Sequence, residues 1–154
     1  MKNLIQEYYL QGLKETSTLI KLIDPLLNEV GFNTRDIDSV HEEYEVKTKA
    51  SAVKIDRCLK KKGKPIIFLQ AKSIGRRDLF KDDYEKTFRA ASWAHVSFCV
   101  FTDGISWEFY IIKSIRSKTP QLLKRVEILY EPAKRDEITQ TLKNLTTGGR
   151  YESQ

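Results

Sequence analysis

Asp56, Gln70 and Lys72 are the residues of this chain whose types and spacing suit chemistry best. Gln70 and Lys72 close the run PIIFLQAK (65–72), whose apolar start, Ile66 to Leu69, reads as a buried strand. Two residues apart on a strand, an amide and an ammonium share one face. Asp56 lies 14 positions before Gln70 in SAVKIDRCL (51–59), and KKKGK (60–64) with Gly63 reads as the turn between them. Antiparallel pairing about that turn brings Asp56 opposite residues 68 to 70. A carboxylate, an amide and a lysine then meet at one end of a sheet. Such a set suits phosphodiester hydrolysis. The acid holds Mg²⁺, a second oxygen fixes the ion, and the lysine steadies developing negative charge or orients water. Spacing alone is a weak signal, and a strand running out into solvent fits the same residues.

The elements around this hairpin read as a mixed α/β domain. Residues 3–13 are a loose helix. Residues 15–30 are a stronger one, with Leu19, Ile20, Ile23, Leu26, Leu27 and Val30 at helical period, caps among Thr16, Ser17 and Thr18, and a kink or restart at Pro25. Glu15 sits at the top of that apolar stripe. A charge favouring the helix start and a carboxylate aimed at the end of a sheet both fit it. Strands are expected at 39–46, 51–59, 65–72, 95–102, 106–113 and 125–131. On the second of these, Ala52, Lys54, Asp56 and Cys58 should share one face and Val53, Ile55 and Arg57 the other. An amphipathic helix over 76–93 carries Phe80, Tyr84, Phe88 and Ala91, and a last helix runs over 136–145. Asp103 and Gly104 mark a turn.

The 154 residues suit one domain, over 1–145, with a patternless, flexible tail at 146–154. No apolar run nears the roughly 18 residues of a membrane span, and the first residues lack a signal-peptide design. A cytoplasmic protein with Cys58 and Cys99 as reduced, packed thiols is expected. The net charge of +6 is unevenly spread: residues 1–50 carry −3, 51–100 carry +7 and 101–154 carry +2. Lys54, Arg57, Lys60, Lys61, Lys62 and Lys64 concentrate it on the hairpin. A polyanion footprint and a solvated turn fit this equally. No GxxxxGK[ST] phosphate loop is present, so translocation along DNA is not expected of this chain alone.

The stretches ETSTLIKLIDPLLNEVGF, VKIDRCLKKKGKPIIFLQAK and VSFCVFTDGISWEFY together resemble the N-terminal nuclease domain of type I restriction enzyme motor subunits, in the PD-(D/E)XK nuclease superfamily. The resemblance spans about residues 15 to 110, three motifs in the family's order. It implies a restriction-endonuclease-like core, a mixed central sheet flanked by helices, and a DNA endonuclease using Mg²⁺, which Mn²⁺ can replace. It implies metal ligation by Asp56, Gln70, Glu15 and the carbonyl of Ala71, and catalysis by Lys72. Lys60, Lys61 and Lys62 would contact DNA phosphates. A motor or specificity subunit is an implied partner, and a homodimer stays open. Gln70 departs from the family, which usually has Glu there. An amide binds a hard cation less well than a carboxylate. A weak or inactive nuclease-like module that binds nucleic acid or a partner subunit is therefore the second expectation.

Overall fold

A computed structural model describes residues 3–112 and 119–147. Helix α1 (Leu4–Gln11) precedes a composite helical segment. That segment is α2 (Glu15–Thr18), a π-helical turn (Leu19–Ile23) and α3 (Asp24–Val30). Strands β1 (Val40–Lys47), β2 (Ala52–Lys61) and β3 (Lys64–Ala71) follow. A 3₁₀ turn (Arg77–Asp82) and α4 (Tyr84–Trp93) lead to β4 (Phe98–Thr102), β5 (Ser106–Ile111) and β6 (Gln121–Glu127). A second 3₁₀ turn (Pro132–Lys134) runs into α5 (Arg135–Thr146). The six strands form one mixed sheet in the order β1-β2-β3-β4-β5-β6. Among the described strands only β3 and β4 pair in parallel, and the crossover between them carries α4.

Helices cover both faces of the sheet. On one face Leu19, Ile23, Leu26 and Leu27 and, from α5, Ile138, Leu142 and Leu145 pack with Ile67, Leu69, Val100, Trp107 and Phe109. On the other, Phe80, Ala90 and Ala91 pack with Ile55, Cys58, Phe68, Cys99 and Phe101. β3 alternates cleanly: Ile67, Leu69 and Ala71 face the first layer, while Phe68 faces the second. Cys58 and Cys99 are free, buried thiols. Among the described residues no helix is long and apolar enough to cross a membrane.

Several local expectations shift. The helix expected over 15–30 is interrupted by the π turn, whose signature is the Asp24 N–H donating to the Leu19 carbonyl. Pro25 has no N–H for Lys21, so one wider turn before it resolves the mismatch without ending the helix. The Thr16–Thr18 caps are not used; Lys14 precedes α2 without a side-chain cap. The helix expected over 76–93 is a 3₁₀ turn and then α4, parted at Asp83. The fourth strand starts at Phe98 rather than 95, because His95 takes a positive φ. The last strand lies at 121–127, earlier than the expected 125–131. α5 extends through Thr146, into the expected tail. Residues 148–154 of that tail, and Lys113 of the expected strand 106–113, lie outside the described residues.

In β2 the side-chain alternation slips by one at Asp56. Cys58 joins Val53 and Ile55 in one layer rather than facing away from them, while Leu59 enters the other. The slip falls where β2 leaves the β3 ladder.

Gly104, φ +85, turns β4 into β5 directly beneath the helical segment. A Cβ there would lie 2.9 Å from Leu22 Cδ1 and 3.0 Å from Thr18 Cγ2. Gly104→Ala is expected to cost about 2 kcal/mol, combining positive-φ strain with overpacking. Urea denaturation of both proteins measures it.

Candidate active site

The β2–β3 ladder holds Arg57 against Leu69 and Cys58 against Phe68. Continued, it would pair Asp56 with Gln70, but it stops there. The Lys72 N–H turns to the Thr102 carbonyl of β4, at 3.0 Å. The Ala71 N–H donates instead to Asp56 Oδ2 at 2.8 Å. Two strands thus part at the end of the sheet, and the opening is a shallow pocket of about 200 Å³. Its lining includes Glu15, Lys54, Asp56, Gln70, Lys72 and Asp83. Glu15 arrives there as the first residue of α2.

The four residues singled out in the sequence therefore converge. Gln70 and Lys72 point to the α4 side, where Lys72 Nζ meets Asp83 Oδ2 at 2.8 Å. Asp83 also holds Lys86 Nζ, at 2.9 Å, and is buried. Sequence reasoning missed Asp83. A signal was present: it stands three residues after Phe80 and four before Thr87, both buried, so it lies on the inner stripe of that segment. The next residue, Tyr84, belongs to a separate network, in which Glu108 of β5 accepts hydrogen bonds from the hydroxyls of Tyr84 and Tyr110 and pairs with Arg77 at 3.2 Å.

Electrostatics mark the pocket as strained. Burial pushes the Asp56 carboxyl up. The Ala71 N–H opposes the rise and the Asp83 charge adds to it. Glu15 is raised by partial desolvation and then by the Asp56 charge, although its solvent exposure damps the effect. Desolvation alone would lower Lys72. Asp83 first, then Glu15 and Asp56, outweigh it and hold the ammonium above its ordinary value. The pocket thus contains a lysine kept charged and carboxylates whose ionisation is resisted, a pattern common at functional sites.

Arg57 anchors this end of β2. It is buried, its Nε and Nη2 pair with Asp24 Oδ1 and Oδ2 at 3.0 and 3.1 Å, and its Nη1 donates to the Asp56 carbonyl at 2.9 Å. The π turn sets Asp24 at the start of α3, so the helical segment grips the backbone beside the pocket.

Asp56 and Glu15 suit a hard divalent cation, which would relieve the charge each resists. Gln70 suits it less, since its Oε1 already accepts from the Asp56 N–H at 3.0 Å. Among the described residues no group of three His, Cys, Asp or Glu side chains is placed to hold a metal ion. Two carboxylates and a backbone carbonyl would leave much of the shell to water and substrate, as Mg²⁺ tolerates.

The structure does not bring Lys60, Lys61 and Lys62 to this pocket. Lys62 and Gly63 form the hairpin turn with positive φ, at the other end of β2. The strand between Asp56 and Lys62 spans about 20 Å. Lys61 Nζ donates to the Thr146 carbonyl at the end of α5, and Lys60 Nζ lies over the Tyr44 ring. The cations beside the pocket are Lys54, Lys72 and Lys86. Trp107 is buried in the core, while Trp93 is half exposed on α4.

No family model matches the chain, and neither a curated protein nor a solved structure matches it.

Proposed function

We propose that this chain is a Mg²⁺-dependent DNA endonuclease domain with a restriction-endonuclease-like core, of the kind carried by type I restriction enzyme motor subunits. One observation carries the reading. Asp56, Lys72 and Glu15, from two parting strands and a helix start, line a single open pocket at a sheet end. The three sequence motifs of the resemblance support it.

When bound, the metal ion polarises the phosphate and lowers the pKa of a water. Asp56 and Glu15 would hold it, with the Ala71 carbonyl. The Ala71 N–H on Oδ2 fixes the carboxylate direction of Asp56. Lys72, held charged and kept in place by Asp83, steadies negative charge on the phosphate as water attacks phosphorus and the P–O bond breaks. Lys54 and Lys86 offer exposed positive charge to flanking phosphates. A motor or specificity subunit is the partner proposed.

Purified chain incubated with supercoiled plasmid and single-stranded DNA tests this. Cleavage with Mg²⁺ or Mn²⁺, stopped by chelator, is expected. Its absence in both metals overturns the reading. The second reading is a module that binds nucleic acid without cutting. It is favoured by the engagement of Lys72 with Asp83 and of the Gln70 amide with the fold. Salt-sensitive DNA binding without cleavage would establish it.

Asp56→Asn is expected to abolish cleavage and to raise stability by about 1 kcal/mol, near 3 °C in Tm for a chain of this size. The sign follows from the raised carboxyl. A folded-state pKa above the unfolded value means that ionisation costs stability, lost as pH rises from about 4 through the folded-state value. Asparagine removes that cost and its oxygen still accepts from Ala71. Thermal melts from pH 4 to 8 should show the gain growing with pH.

A further inference from the structure

Gln70 departs from the pattern of the resemblance, and its surroundings point to a different task for it. The residue is 4% exposed. Its amide makes three hydrogen bonds. Oε1 accepts from the Asp56 N–H at 3.0 Å, and Nε2 donates to the Lys54 carbonyl at 3.0 Å and to Thr87 Oγ1 at 3.1 Å. The β2 groups it satisfies are those that the ladder leaves open. The Ala71 N–H points to β2 and the Lys72 N–H to Thr102 of β4, so by alternation the Gln70 and Lys72 backbone groups face β4 and the ladder offers β2 nothing from them. The slip at Asp56 leaves the Asp56 N–H and the Lys54 carbonyl both directed at the Gln70 side chain. One side-chain amide, presenting an acceptor and a donor together, serves both groups. Buried backbone groups without partners cost about 1–3 kcal/mol each, so this pairing is what lets the strands part.

We infer that Gln70 is a positioning residue and not a metal ligand: its amide splices β2 across the gap, and Thr87 of α4 fixes the amide so that the Asp56 carboxylate keeps its aim. A carboxylate cannot do this. A glutamate side chain at this position would lack the Nε2 donor and would set lone pairs against the Lys54 carbonyl. It would also add a buried charge beside Asp56, where burial and Asp83 already resist ionisation. Thr87 is fully buried and does not line the pocket; its hydroxyl meets the pocket residues through the Gln70 amide.

The metal arm of this inference rests on the proposed function; the hydrogen-bond arm does not. NMR of wild type should show slowly exchanging Gln70 side-chain NH₂ protons and a protected Asp56 amide. Thr87→Val should speed exchange at both by about tenfold or more, as expected for losing a buried hydrogen bond worth about 1.4 kcal/mol, and Thr87→Ser should restore them. Mn²⁺ affinity, read by water-proton relaxation, should weaken in Thr87→Val and recover in Thr87→Ser. Gln70→Glu should lower Tm and fail to tighten Mn²⁺. Markedly tighter Mn²⁺ binding in Gln70→Glu, at unchanged Tm, would overturn the inference and make residue 70 a ligand. Exchange at Asp56 and Gln70 unmoved by Thr87→Val would overturn it too, even if Gln70→Glu does not fold. If wild type binds no Mn²⁺, the proposed function fails, and the exchange data still decide whether Gln70 splices the strands.

Discussion

Lys72→Ala is expected to slow metal-dependent DNA cleavage by about 10²–10³-fold, the usual cost of deleting one preorganised group that meets transition-state charge. The fold should survive. Lys72 is only partly buried, and Asp83 keeps Lys86 as a partner at 2.9 Å. DNA affinity should change little, because one lysine among several contributes one phosphate contact at most. The loss should therefore sit in the rate and not in binding. Single-turnover cleavage with matched binding curves separates the two. Cleavage that survives the substitution at wild-type rate would remove Lys72 from the mechanism and with it the assignment of the pocket.

Arg57→Ala carries the largest expected stability effect. The guanidinium is buried and bidentate on Asp24, with a further bond to the Asp56 carbonyl. Burial alone would lower its pKa, and Asp24 more than compensates. Alanine would strand the Asp24 carboxylate between α3 and β2. Breaking one side of a buried pair costs about 3–5 kcal/mol, or about 10 °C in Tm at this chain length. Replacing both partners, Arg57→Met with Asp24→Asn, should recover part of the loss, since no unpaired charge remains. If the double variant is no better than Arg57→Ala, packing of the arginine stem and not the charge pair holds this corner. Chemical denaturation of wild type, single and double variants decides it.

Much of the scaffold is legible in the sequence because it follows period and turn chemistry. The apolar run Ile66 to Leu69 and the Lys62–Gly63 turn specify a hairpin without reference to anything distant. The alternation of β3 places Gln70 and Lys72 on one face. The stripe from Leu19 to Leu27 specifies a helix that packs on the sheet. Its internal π turn is the response to Pro25, visible in the sequence as a break but not as a form. The last strand falls earlier than its pattern suggests because RVEILYE alternates as well as QLLKRVE does, and only pairing with β5 selects the register.

What the sequence determined by itself is the mixed α/β class and the meeting of Asp56, Gln70 and Lys72 at one strand end, since both depend on local periodicity and one short turn. What only the tertiary structure decided is how those groups are used. Asp83 reaches Lys72 because α4 crosses over the sheet between β3 and β4. The Gln70 amide is used within the fold because the ladder stops at Arg57 and Leu69 with the Asp56 N–H and Lys54 carbonyl still unpaired by backbone, and Thr87, 17 residues on, is there to hold it. The lysine cluster is far from the pocket because a strand of ten residues separates its two ends. A side chain's type limits which bonds it can make; the path of the neighbouring backbone decides which of them are left for it to make.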